Sequence, residues 1–557
     1  MHMIKRNFIY VQILALMFIG IKNINAQEKL VKEVQVVKPY EPIISDAYKI
    51  THLPKITDSV KTVPEIKYIL QTKPINVGYT VTPIKPAKMV GEPLSKLYNS
   101  YIKVGLGTKM LPMIEGYLNS KRSKEYSVGA YYKFLNSIGQ VKLDNDEKDF
   151  AGFSDNDLRF FGKKFLKNSM IEGEMGLSSN TRYFYGYDTR VDTVMEKENI
   201  KQNFLNLNLD AKYKSNYVDS THLNYDFGFN LDYTRDKYEN SELGLRVAGD
   251  LNKIFSKEMV GVKVAIHHYS TNEALDSTNN TIINISPWLG IFGAKWRVRA
   301  GVNIFSDIRG DGGSEAYYYP VGHLEYDMAN HYLIPYAGLG GKLELNNFHK
   351  ISQENPFLVP GTSLLNSDQK IKLYGGIRGN FNSTTYYNFK VSYSLVDNMP
   401  FYQNDLINTD SIGNQFKVVY DNVALLEYFG EISVSPSDEL TFNLKANYRD
   451  FRMENEAEAW HKPSFDMSFA THYNLRQKII LKADVLAIGK RYVKLDDDGN
   501  IGELESAIDI NLGAEYRYSK VLSGFVQLNN ILSDSYYEWN NYPTYGFNIL
   551  LGVTYSF

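Results

Sequence analysis

The chain of 557 residues contains no cysteine, so disulfide frameworks and thiolate metal sites are excluded. Beyond its first thirty residues it also has no apolar run near the roughly 18 positions a membrane helix needs, which excludes a helical membrane protein. Strong charge of one sign is missing as well. A net charge of −2 argues against nucleic acid as a partner. The sequence carries no Gly-x-Ser-x-Gly elbow, no Gly-x-x-x-x-Gly-Lys phosphate loop and no His-Glu-x-x-His helix. The expectation is therefore a non-enzyme without catalytic, cofactor or metal residues. What the chain does have is tyrosine: 43 Tyr and 29 Phe, with aromatics at 14% and apolar residues at 43%. That apolar content, with nearly balanced charge, is enough to order most of the chain.

Met1 to Ala26 reads as a secretory signal peptide. Lys5 and Arg6 form the basic start, Phe8 to Gly20 the apolar stretch, and Asn25-Ala26 a small-residue cleavage site before Gln27. Residues 27–97 differ from everything after them. They hold eight of the 18 prolines, and eleven lysines against seven acidic residues give a charge near +4. Prolines at that spacing forbid helix interiors and central strands, so an extended basic strap is expected. The remainder carries about −9, which suits a strap that docks on or in an acidic body, or one that tethers a periplasmic partner.

From Tyr98 onward apolar and polar residues alternate with period two. Leu205, Leu207, Leu209, Ala211 and Tyr213 oppose Asn206, Asn208, Asp210 and Lys212, and Leu440 to Tyr448 repeat the pattern against Thr441 to Arg449. Ile508 to Tyr518 and Tyr545 to Phe557 do the same. Such segments are strands with one apolar and one polar face. A sandwich and a membrane barrel share that alternation, and the connections separate them. A transmembrane barrel alternates short periplasmic turns with longer outer loops.

Counting back from Phe557, tight turns fall at Ser519-Lys520, Asn474 to Gln477, Pro436 to Asp438, Asn382 to Thr384, Met328 to His331 and Gly293-Ala294. They continue at Ser256-Lys257, Ser215 to Ser220, Leu166 to Ser169 and Ser120 to Lys124. Between them lie longer polar connections near 534–543, 494–504, 450–462, 396–422, 348–368, 306–314, 270–280, 235–241, 184–200 and 138–153, with a tight outer turn at Leu111-Pro112. The fold class that follows is all-β: a single transmembrane antiparallel β-barrel over 98–557 with about 22 strands of roughly ten to fourteen residues, 20 or 24 remaining open. Both termini are expected in the periplasm of a Gram-negative cell, with the barrel in outer-membrane lipid.

Clusters such as Tyr183-Phe184-Tyr185, Tyr317-Tyr318-Tyr319, and Tyr536-Tyr537 with Trp539 and Tyr542 are expected to form the aromatic girdles at the membrane interfaces, ligand-stacking platforms being the sharper alternative. The polar face, with Asp210, Lys212, Lys445, Arg449, Asp509, Glu515 and Arg517, supplies the lumenal candidates and mixes both signs. His267-His268 on one strand point to opposite faces and do not share a metal. Lys494 to Glu505 nearly matches a calcium loop through Asp496, Asp498, Gly499 and Glu505, but Lys494 stands at the first ligand position, and Asp498-Gly499 reads as a hairpin turn. Glu454, Glu456 and Glu458 read as a solvated face.

The C-terminal quarter resembles the barrel end of TonB-dependent receptors. The residues that carry this are Ile508 to Tyr516, then Phe525-Val526-Gln527-Leu528-Asn529-Asn530-Ile531-Leu532 with Tyr536-Tyr537, then Tyr542-Pro543 and Gly552 to Phe557. The resemblance implies a 22-stranded barrel closed by the terminal aromatic strand, with solute uptake powered through TonB. It also implies a large globular plug, for which the roughly seventy residues of 27–97 are too few. Glu33-Val34-Gln35-Val36-Val37 looks like a TonB box. Two readings stay open: a transporter or gated channel for an unknown solute, and a plugless structural subunit of an outer-membrane complex whose strap binds periplasmic partners. The expected protein partner is TonB or another periplasmic or outer-membrane protein.

Overall fold

The computed structural model describes residues 99–557, apart from 190–195, 218–221, 276–278, 311, 406–412 and 497. The signal peptide, the strap 27–97 and the TonB-box-like residues Glu33 to Val37 lie outside the described residues.

The alternating segments form 22 strands, each antiparallel to the next in the chain. The first strand, Ser100–Gly107, also pairs with the last, Asn548–Ser556, matching Tyr101 to Ser556 and Val104 to Val553. That pairing leaves no edge strand and closes the sheet into a barrel. Gly105 and Gly552 lie opposite each other at this seam. The Phe525 ring from the neighbouring strand lies over Gly552, where a Cβ would come within 2.1 Å of the Val104 carbonyl oxygen and 2.4 Å of that ring.

The apolar face of each strand is its exposed face. Leu205, Leu207 and Leu209 are exposed, as are Ile508, Leu512 and Tyr516. A wall with apolar side chains outward and polar side chains inward is inverted relative to a water-soluble sandwich, and it fits lipid outside and water within. Among the described residues no helix is long and apolar enough to cross a membrane.

Strand connections alternate as expected. The end with short turns, called inner here, has nine of its turns within a few residues of the expected positions; Arg476 and Gln477 both take positive φ (50° and 55°), the geometry of a two-residue hairpin turn. Exposed Tyr126, Phe255, Trp296, Tyr326, Tyr518 and Phe557 ring this end as one aromatic girdle.

Two expectations are corrected at the outer end. The tight turn lies at Thr108-Lys109, because the strand Met110–Asn119 already contains Leu111 and Pro112. The span 396–422 is not a loop. The strands Thr385–Asn404 and Phe416–Ser437 run for 20 and 22 residues, paired as far as Asn404 and Phe416. A membrane-crossing strand needs about 9–11 residues, so this hairpin extends well beyond the wall. Polar composition disguised it, and a register shift between Val396 and Met399, with Asn398 at φ 53°, interrupts the alternation. Strand lengths accordingly range from 8 to 22 residues, rather than ten to fourteen.

Candidate functional site

The outer connections meet in an apolar cap. Its buried core joins Phe184 and Ile200 from the connection 184–200, Ile351, Phe357 and Leu358 from 345–366, Tyr402 and Phe416 from the long hairpin, and Trp539 and Tyr542 from 530–547. The rings interlock. Phe357 stacks on Tyr542 at 3.9 Å, Tyr185 meets Tyr542 edge-on at 4.9 Å, and Trp539 meets Tyr402 edge-on at 5.1 Å.

Strand order shows what this contact means. The connection 184–200 joins the fifth and sixth strands, and the long hairpin is the fifteenth and sixteenth. Ten strands of 22 separate them, close to half the circumference. Yet Asn414 Nδ2 donates to the Phe184 carbonyl at 3.2 Å, and Tyr542 Oη donates to the Asn414 carbonyl at 2.5 Å. Loops rooted on opposite sides touch only by reaching across the mouth.

Backbone and polar contacts tie the connections to one another, neighbouring and distant alike. Phe416 N donates to Phe357 O at 2.8 Å and Val359 N to Phe416 O at 2.9 Å, a two-bond parallel bridge. Tyr185 Oη donates to Pro543 O at 3.0 Å. Gly186 lies flat beneath Tyr542, where a Cβ would sit 2.4 Å from the ring and 2.5 Å from Asn541 O. The short helix Phe348–Glu354 docks onto the inner face of the wall five strands away. Glu242 accepts from Phe348 N at 2.7 Å, and His349 Nδ1 lies 2.9 Å from Thr234 Oγ1.

His461 joins three parts of the cap. Its Nδ1–H donates to Tyr402 O at 2.7 Å, and its Nε2 accepts from Asn540 N at 3.3 Å, which fixes the neutral tautomer. Burial, with Arg491 and Lys462 nearby, pushes its pKa down to about 3. Arg491 donates to the carbonyls of Glu538 (2.6 Å) and Tyr537 (2.5 Å), holding 530–547 against the hairpin Arg491–Lys494/Ile501–Leu504. Burial raises the Glu538 carboxyl above its ordinary range.

Several expectations change here. Phe184, Trp539 and Tyr542 are cap core, not girdle, because they lie in connections that fold over the mouth. Tyr317 to Tyr319 split by strand alternation: Tyr318 is exposed outward, while Tyr319 is buried and its Oη donates to Asp368 at 2.6 Å. Glu454 is exposed as expected, while Glu456 is half-buried and accepts from Gln403 Nε2 at 2.8 Å and Trp460 Nε1 at 2.7 Å. The calcium-like stretch is a hairpin, with Asp496 accepting from Asn500 N and Nδ2 and with Gly499 at φ 87°. His268 bonds Thr281 at 2.8 Å, while His267 stacks beside Tyr269. Among the described residues no group of three acidic, histidine or cysteine side chains is placed to hold a metal.

Asp210, Lys212, Lys445, Arg449, Asp509, Glu515 and Arg517 all project from the polar inner face, spread around the wall rather than gathered at one point. Asp210 accepts from Asn230 at 3.1 Å, Lys445 pairs with Glu431 at 3.0 Å, and Arg449 pairs with Asp466 and with Glu427 at 3.8 Å. Asp509 accepts from Tyr536 Oη at 3.3 Å. Lys445 and Arg449 are thus each set beside an acid on the wall. The cap was missed because its aromatics resemble interfacial ones. The usable signal was position: Phe357, Trp539 and Tyr542 lie between alternating runs, not at their ends.

A closed 22-stranded antiparallel barrel with an apolar exterior is a membrane-barrel architecture, and TonB-dependent receptors of known structure are alike in that fold. The FrpB iron transporter from Neisseria meningitidis (F3-3 variant) matches with a TM-score of 0.65 at 10% identity, over 83% of this chain and 82% of that one. The ferric-catecholate import receptor Fiu from Escherichia coli K12 matches at 0.61 and 8% identity, over 83% and 82%. The siderophore receptor PirA from Acinetobacter baumannii matches at 0.61 and 9% identity, over 82% and 80%. No protein-family model matches the sequence. No curated protein matches it either.

Proposed function

We propose that this chain is an outer-membrane solute importer of the TonB-dependent-receptor type, closed at rest by its own outer connections. The observation that carries this reading is the closed 22-stranded wall, alike in fold to iron and siderophore receptors, combined with a cap whose loops span the mouth. Residues 1–26 direct export, 27–97 act on the periplasmic side as lumen filling or tether, and 98–557 form the barrel. Glu33 to Val37 serve as the contact for TonB. The names of the structural neighbours make ferric chelates the first solutes to test. The inner-face residues Asp210 to Arg517 line the route as a mixed-charge wall.

The test is single-channel conductance of the purified full-length protein in planar bilayers, with and without residues 27–97. Silence in both forms, with steady conductance once Gly186→Val opens the cap, supports an importer closed by its outer connections; conductance on deleting the strap alone moves the closure to 27–97 and overturns closure by the cap. A large steady conductance in the full chain overturns closure at rest. Undiminished uptake of every ferric chelate by cells lacking the protein removes that solute class.

A second reading rests on the tightness of the cap. A side-chain-to-backbone hydrogen bond between loops ten strands apart, with ring contacts between loops six and eight strands apart, suits a permanently sealed structural subunit whose strap recruits a periplasmic partner. Co-purification of a stoichiometric partner that is lost with 27–97, with no conductance in either form, favours it.

A further inference from the structure

The outward face of the second to sixth strands carries a groove above a cluster of unpaired cations. Across the register, Leu118, Ala130, Phe160, Met175 and Leu209 form one row. One step toward the inner end the row is Val128, Gly162, Gly173 and Ala211, and the next is Tyr126, Lys164, Ile171 and Tyr213. The middle row is almost bare of side chains, and the depression over it measures about 740 Å³. Phe160 and Met175 wall it above, both exposed.

Beneath the groove, two adjacent turns are tied together by Phe165 N donating to Glu125 O at 2.8 Å. They present Lys121, Arg122, Lys124 and Lys167, all exposed, beside Lys164; Glu125 is the one acid among them. Lys163, which points inward, shares Glu172 with Lys214 at 3.2 and 3.1 Å. Lys164 lies on the outward face by register and the other four lie in turns at the rim, and none of the five forms an ion pair among the described residues. Cations at the rim of a lipid-facing wall sit at the depth of the headgroup layer, which can answer them.

We propose that this face is a binding site for an anionic phospholipid of the inner leaflet, its acyl chains in the Gly162–Gly173 groove and its phosphate on the Lys164 cluster. The site is lateral to the cap and independent of what the barrel transports. Charge complementarity selects the headgroup, and the missing side chains admit the chains.

The test is native mass spectrometry of the full chain in detergent, offered phosphatidylglycerol and phosphatidylcholine with identical acyl chains. Wild type is expected to retain phosphatidylglycerol in preference by more than about tenfold, since each cation near an anionic headgroup is worth about fivefold. Combined K121Q, R122Q, K124Q, K164Q and K167Q should abolish the preference, and the same five positions as Lys or Arg should keep it. Gly173→Leu should lower retention of phosphatidylglycerol while the barrel stays folded, because a Cβ there meets nothing nearer than Asp210 O at 3.8 Å. Equal retention of the two lipids by wild type leaves the cations to some acidic protein and overturns the proposal. An undiminished preference in the five-fold glutamine variant, or undiminished retention in Gly173→Leu, overturns it too.

Discussion

The wall and the cap are built from the same residue types and held by opposite logic. In the wall, Leu205, Leu207 and Leu209 face outward and the stability of each strand comes from its two neighbours, closed at Tyr101–Ser556. In the cap, Phe184, Phe357, Trp539 and Tyr542 face one another, and the contacts join loops whose strands are not neighbours. The wall needs lipid to satisfy its apolar face, whereas the cap buries its own. The wall should therefore resist any change that leaves its ladder intact, while the cap is a small hydrophobic core with its own weak points.

The largest expected effect breaks the wall. Gly552→Val places a branched side chain where a Cβ already falls 2.1 Å from Val104 O and 2.4 Å from Phe525. Backbone on one side and a ring on the other leave no room, so the first and last strands should fail to pair. The heat-modifiable band of folded barrel on semi-native gels should be lost. A normal folded fraction would show that the seam is not what closes the barrel. The next effect opens the cap and spares the wall. Gly186→Val drives a side chain into Tyr542 and Asn541, while neither belongs to a barrel strand. Heat-modifiability should persist, and proteolysis of 184–200 and 530–547 on intact cells should rise by at least about tenfold, the effect of some 1.4 kcal/mol of lost closure. If the wall melts together with the cap, the two are one cooperative unit.

The wall was legible in the sequence because strand alternation and turn residues are local signals. Counting turns back from Phe557 found the strand number, and Ser256-Lys257 or Gly293-Ala294 needed no tertiary information. The cap was not legible, because its core joins Phe184 to Tyr402 and Tyr542 across more than two hundred residues of chain. Nothing local distinguishes Tyr542 in a cap from a tyrosine in a girdle. The long hairpin failed for a different reason: above the membrane a strand no longer needs an apolar face, so 396–422 lost its alternation while keeping its ladder. The lumenal set was found through parity, which places residues on a face and says nothing about which of them meet a solute.

A third experiment sharpens the comparison through pH. His461 is neutral in the cap with its pKa near 3, against an ordinary value of about 6.5 once exposed. Above about pH 6.5 the group is neutral in both states and its contribution is complete. As pH falls toward 3 the opened state binds a proton that the closed cap refuses, so closure weakens by up to about 1.4 kcal/mol per unit. Protease sensitivity of the cap should rise over that window and flatten in His461→Gln, while the wall stays unchanged.

The smallest effect comes from one hydroxyl. Tyr542 Oη donates to the Asn414 carbonyl, the bond that ties the last outer connection to a hairpin six strands away. Tyr542→Phe keeps the ring, its stack on Phe357 and its contact with Tyr185, and removes only the polar ties of the hydroxyl, the Asn414 bond foremost. A hydrogen bond of this kind is worth about 1 kcal/mol, or roughly fivefold in the opening equilibrium. Tyr542→Ala removes the ring as well and should cost about 3–5 kcal/mol of cap closure, as for an aromatic deleted from a core. The ratio of the two, read by hydrogen exchange at 530–547, separates a cap held by packing from one held by polar ties. A phenylalanine variant as open as the alanine variant would show that the polar tie, not the aromatic core, keeps the mouth shut.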